Sequence, residues 1–218
     1  MAKRKNTIAR VIAPDHIKEA IALEKSAEET IERLLLSDSA KVESKSELTV
    51  LFASYLNIYG WFLVTGKQGA AALSVLRRAF ELRDGGQVDF QRCSTDNDKE
   101  IAHILQNMAD AENQLGEYAD AMSNAKSAID CRENLGELLD AYQARKTLGL
   151  TLIGMGRIEE GKRELTRYVA AMKKALDDNV LPGDLLSARM NGEDVLIDRW
   201  IDVSKVTEGM MNDESEGK

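Results

Sequence analysis

An all-α fold of stacked antiparallel helix hairpins is what this 218-residue sequence predicts, and four observations predict it. Two prolines and 15 glycines leave little material for the many tight turns of an all-β domain. Aromatics are only 5%, while Ala, Leu, Glu, Lys and Met, which lose least entropy in a helix, are plentiful. Apolar residues recur at three- and four-residue spacings along most of the chain. Finally, the block 99–177 repeats itself after 40 residues. One hairpin cannot bury its apolar face alone, so successive hairpins must stack as a solenoid. At 44% hydrophobic and 30% charged, the chain carries enough apolar matter for a core.

The elements follow in order. Residues 1–14 form a basic arm, since Lys3, Arg4, Lys5 and Arg10 precede the first acid, Asp15. No apolar stretch follows them, so no secretory leader is expected. The helical domain spans 15–205. Its first helix, 15–36, carries Ile17, Ile21, Ile31 and Leu35 on one face, with Asp15 as N-cap after Pro14. A polar loop covers 37–47, and a bulky helix runs over 48–65 until Gly66 interrupts it. The next helix, 70–84, ends at Gly85-Gly86, and the polar segment QVDFQRCSTDND leads to residue 99. Helices then cover 99–114, 119–134, 137–154 and 159–177, broken at LGEY, at Asn134–Gly136 and at MGRI. Pro182-Gly183 marks a loop. The segment 184–203 is amphipathic and either packs back on the last repeat or mediates self-association. The acidic tail 206–218 reads as disordered. No apolar run approaches the 18–20 residues that would cross a bilayer.

Aligning Gly116 with Gly156 defines the repeat, with clear copies at 99–136 and 137–177 and a looser one at 48–84. Met108-Ala109 then matches Leu148-Gly149, Tyr118 matches Ile158, and Ala121 matches Gly161. Tyr59-Gly60, Ala72, Leu76 and Ala79 recur at equivalent spacings. Small residues near the middle of paired helices let their axes approach closely. The pattern resembles the tetratricopeptide repeat (TPR) family, in its longer variant of about 40 residues. Leu105, Gly116, Tyr118, Ala121, Ala125 and Ala128 carry the resemblance in the middle copy, and Leu152, Gly156, Ile158, Gly161 and Leu165 in the last. Glu112 and Arg145 depart from it, standing where large apolar residues are usual.

That resemblance implies a right-handed solenoid whose first helices line a concave groove. The groove would present Asn57 and Trp61 from the first copy, and His103, Gln106, Asp110, Asn113 and Gln114 from the middle one. Gln143, Lys146, Leu150 and Ile153 would follow from the last. The function implied is that of a non-catalytic adaptor holding a segment of a protein partner, with a dedicated chaperone or regulator of one client as the alternative. Of the family's carboxylate-clamp chemistry only Lys146 is present, so capture of a C-terminal carboxylate is not expected.

An enzyme is not expected. The phosphate-loop, zinc-protease, nucleophile-elbow and dinucleotide motifs are all missing. The two histidines, His16 and His103, are far apart, and no Glu-x-x-His pair offers a metal centre. Neither cofactor nor metal is therefore predicted. Cys93 stands in a polar loop and Cys131 at the end of a helical stripe. As two lone cysteines they read as a loop thiol and a small packed side chain, without a disulfide framework. A net charge of −8 argues against nucleic acid. Residues 96–120 hold seven acids and one base, so a basic or amide-rich partner segment is expected there. The composition points to a cytoplasmic protein that avoids membranes. The basic arm keeps a nuclear address as the alternative.

Overall fold

The structure is a computed structural model that describes residues 42–83 and 85–177, with helical positions at 21–22, 25–27, 29–31 and 33. Six α-helices follow in chain order: α1 Val42–Thr65, α2 Gly69–Leu82, α3 Asp96–Leu115, α4 Tyr118–Asn134, α5 Leu138–Gly154 and α6 Ile158–Asp177. Among the described residues there is no strand. Each helix packs on the next, and α1 also touches α3 as α3 touches α5. The expected arm 1–14, the loop at Pro182-Gly183, the segment 184–203 and the tail 206–218 lie outside the described residues.

Two helix starts differ from the sequence reading by three residues or more. Helix α1 begins at Val42 rather than 48, because Glu43, Lys45 and Glu47 are good helix formers despite their polarity. Helix α3 begins at Asp96 rather than 99. Its start is fixed by a capping box: Asp98 N–H donates to Thr95 Oγ1 at 3.1 Å, and Thr95 N–H donates to Asp98 Oδ2 at 2.9 Å. The polar stretch before it contains two short 3₁₀ turns, Gly85–Gln87 and Phe90–Arg92.

The turns share one construction. Gly116, Gly136 and Gly156 adopt left-handed φ of 77°, 74° and 78°. After each, the next N–H reaches back to a carbonyl five residues earlier: Glu117 to Glu112 at 2.9 Å, Glu137 to Arg132 at 2.8 Å, Arg157 to Leu152 at 2.8 Å. This is the Schellman closure of a helix end. The 40-residue repeat is thus two identical helix–turn steps of 20. Between α1 and α2, Lys67 takes the left-handed position (φ 60°), and Gln68 N–H reaches Leu63 O at 2.9 Å.

The core forms where small residues let the helices meet. Ala109, Ala121, Ala125 and Ala128 are fully buried between α3 and α4. At the matching place between α5 and α6, a Cβ on Gly149 would lie 2.9 Å from the Leu165 side chain. Gly60 meets Leu76 in the same way between α1 and α2. Phe52, Leu56, Leu63, Leu73 and Ile104 fill the first hairpin and its junction with α3. Ser46–Thr65 is long and apolar enough to cross a membrane by length and composition, contrary to the sequence expectation. Here its apolar residues Phe52, Ala53, Leu56, Phe62 and Leu63 are buried by protein neighbours.

The cysteine reading is overturned. Cys93 and Cys131 form a disulfide, with Cα atoms 5.1 Å apart and both residues buried. The connector between α2 and α3 folds back over α4 and brings the two together across 38 positions. Glu112 and Arg145, the departures from the repeat pattern, are resolved by polar partners. Glu112 is buried and both its carboxylate oxygens accept from Asn124 Nδ2, at 2.9 and 2.8 Å. Arg145 spans Glu133 and Glu164.

Candidate functional site

Helices α1, α3 and α5 are the first members of the three hairpins, and α3 touches both of the others. Its positions 103, 106, 107, 110, 113 and 114 recur at three- and four-residue spacings, so they share one side of the helix. Two hydrogen bonds stitch this side to its neighbours. Asn107 Nδ2 donates to Asn57 Oδ1 on α1 at 2.8 Å, and Thr147 Oγ1 on α5 donates to Asp110 Oδ1 at 2.9 Å. Asn107 and Thr147 occupy the same place in the 40-residue repeat, one hairpin apart. Each reaches back to the preceding first helix. At the helix end Gln114 Nε2 donates to Val64 O at 2.7 Å.

The eleven residues expected in the groove divide. Asp110 and Lys146 stay within electrostatic reach of each other across the α3–α5 seam, Gln106 and Asn113 share the side of α3 that carries Asp110, and Gln114 turns to α1. Asn57 is buried and its carbonyl oxygen is taken by Asn107. Trp61 sits in a separate apolar cluster with Ile21, Ile58 and Phe62, its ring 5.0 Å from that of Phe62. Gln143 turns to α6, where its Nε2 lies 3.8 Å from Met172 Sδ. Ile153 also faces α6, against Gly161. Leu150 is exposed, and His103 is half-buried.

The expected acidic inner face is divided as well. Asp110 and Glu112 are two positions apart and so diverge, and Glu112 belongs to the α3–α4 contact through Asn124. Asp110 remains, half-buried. Burial pushes its carboxyl pKa up, against the charges of Lys146 and Lys67 and the bond from Thr147, which favour the ionised form. Lys146 Nζ also sits 5.9 Å from the centre of the Tyr168 ring. The centre of this side therefore carries one carboxylate within electrostatic reach of two ammonium groups.

Two acceptors on the same side have no donor. Gln106 Oε1 and Asn113 Oδ1 are buried atoms without a hydrogen-bond partner among the described residues. They stand four positions before and three after Asp110. Sequence reasoning missed Thr147, Asn107 and Lys67. The first two carry a signal, a polar residue at the same place in consecutive repeats. Lys67 carries none, because only its turn position brings it near Asp110. Among the described residues, no three His, Cys, Asp or Glu side chains cluster as a metal site. No protein-family model, curated protein or solved structure matches the chain.

Proposed function

We propose that this chain is a non-catalytic adaptor of tetratricopeptide-like build, a right-handed solenoid that holds an extended protein segment along the side formed by α1, α3 and α5. The observation that carries the reading is the pair of donorless acceptors, Gln106 Oε1 and Asn113 Oδ1. A buried carbonyl oxygen left unpaired costs about 1–3 kcal/mol, which rotation of these two half-buried side chains toward a partner's N–H groups would recover. An extended peptide offers such donors at regular intervals. With Asp110 offset by Lys67 and Lys146, the segment favoured is amide-rich rather than strongly charged.

Cross-linking mass spectrometry of the full chain in its native host tests this. Lys67 and Lys146 are expected to link to one segment of a partner, and the double variant Gln106→Ala/Asn113→Ala to lose those links while keeping its helical circular dichroism. A partner retained in full by that variant sinks the groove reading. Several partners sharing the side would mark an adaptor, and one stoichiometric client a dedicated chaperone.

A further inference from the structure

We propose that the Cys93–Cys131 disulfide is a reducible latch that fastens the connector between α2 and α3 onto α4, and that opening it frees the connector while leaving the helices in place. The first hairpin turn precedes the second by 49 positions, Lys67 to Gly116, whereas Gly116 precedes Gly156 by 40. The nine extra residues fall in the connector, the longest irregular joint among the described residues. The corresponding joint between α4 and α5 is a single tight turn at Gly136.

The connector lies on α4 through few ties. Val88 and Phe90 are half-buried against Ala102, Cys131 and the α3–α4 core. Gln91 Nε2 donates to Asp130 Oδ2 at 2.7 Å, and Asn134 Nδ2 donates to Phe90 O at 3.2 Å, both in exposed positions. Exposed polar ties of this kind hold little against water. The disulfide is the one covalent tie. The helices do not depend on it, since α3, α4 and α5 close on Ile101, Leu105, Ala125, Ile129 and Leu148.

Reduction by a dithiol balances as two-electron exchange. One thiolate of the dithiol attacks Cys93 Sγ, on the less deeply buried of the two residues, and Cys131 leaves as a thiolate and takes up a proton. The second dithiol sulfur then displaces Cys93, which is protonated in turn, and the dithiol departs as its own disulfide. The Asp98 carbonyl oxygen lies 3.4 Å from Cys131 Sγ, placed to accept from the thiol once the bond is open. Both products thus have a resting place, the one on α4 and the other on a released loop that carries Val88 and Phe90 into solvent.

The test uses the full chain with and without dithiothreitol, trypsin as the probe, and alkylation to count thiols. Oxidised protein should show no alkylated cysteine and resist cleavage after Arg92, which is exposed beside Cys93. Reduced protein should show both thiols and be cut there at least tenfold faster. Cleavage after Lys67, in the α1–α2 turn, and the helical circular dichroism should stay unchanged. The double variant Cys93→Ser/Cys131→Ser should be cut fast at Arg92 whether or not dithiothreitol is present. Free thiols in protein equilibrated with oxidised glutathione would overturn the pairing. Equal cleavage in both states, or loss of helix on reduction, would overturn the latch.

Discussion

Gly149 and Gly161 face each other so closely that a Cβ on Gly161 would lie 2.6 Å from the Gly149 carbonyl oxygen. The backbones of α5 and α6 touch there, whereas the matching pair between α3 and α4, Ala109 and Ala121, leaves room for two methyl groups. Gly161→Ala must push the helices apart and is expected to cost about 1–3 kcal/mol, as overpacking does. The gain in helix propensity, about 1 kcal/mol, offsets only part of it. Urea unfolding measures the difference. A variant as stable as wild type would mean that the helices are not in contact at this point.

Turn glycines make a second comparison. Gly116, Gly136 and Gly156 share φ near 75° with open space where a Cβ would go. Alanine at each should therefore cost the same, about 1–2 kcal/mol, through the backbone alone. Lys67 holds that conformation without being glycine, so Lys67→Gly should stabilise the first hairpin by about 0.5–1 kcal/mol. Thermal melting of the four variants checks both signs at once. Unequal losses at the three glycines would mean that their turns are not equivalent.

These turns also explain how much was legible. Glycine at a left-handed position and a small residue at a close approach are demanded by local geometry, so their recurrence at 116 and 156, or at 121 and 161, shows in the residue string. The bond from Thr147 to Asp110 was not legible, because it depends on how α5 is rotated against α3. Nor was the disulfide. Cys93 meets Cys131 only because nine extra residues fold back over α4, and two cysteines without a motif carry no sign of that. Glu112 looked like part of an acidic face because the count of acids ignores the helical angle that separates it from Asp110.

Glu112 supplies a pH dependence. Burial raises its carboxyl pKa, with Asp120 and Glu117 adding to the rise, while Asn124 and Arg77 oppose it. In the folded chain it therefore keeps a proton that the unfolded chain releases near the ordinary value of about 4.3. The stability it contributes is full below that value and is lost as pH rises through the folded pKa. Glu112→Gln cannot ionise and should flatten this limb. Unfolding free energies from pH 4 to 8 measure it, and an unchanged slope in the variant would place the titration elsewhere.

The α3–α5 seam gives the last expectation. Thr147 is buried and its hydroxyl donates to Asp110 Oδ1 at 2.9 Å. Thr147→Val keeps the shape and removes the donor, so the carboxylate loses one of the groups that favour its ionised form. About 1–2 kcal/mol of stability should go with it. The loss also has a pH signature. The Asp110 pKa already lies above its ordinary value through burial, so stability falls as pH rises through the folded pKa. Without the hydroxyl that pKa climbs further, and the fall becomes larger in total and extends to higher pH. Asp110→Asn should abolish it, and the double variant should show no additional pH effect. Urea titrations of all three across pH 4 to 8 decide the matter. If Thr147→Val keeps the wild-type pH profile, the hydroxyl does not hold Asp110, and the side proposed to receive a partner is not stitched at its centre.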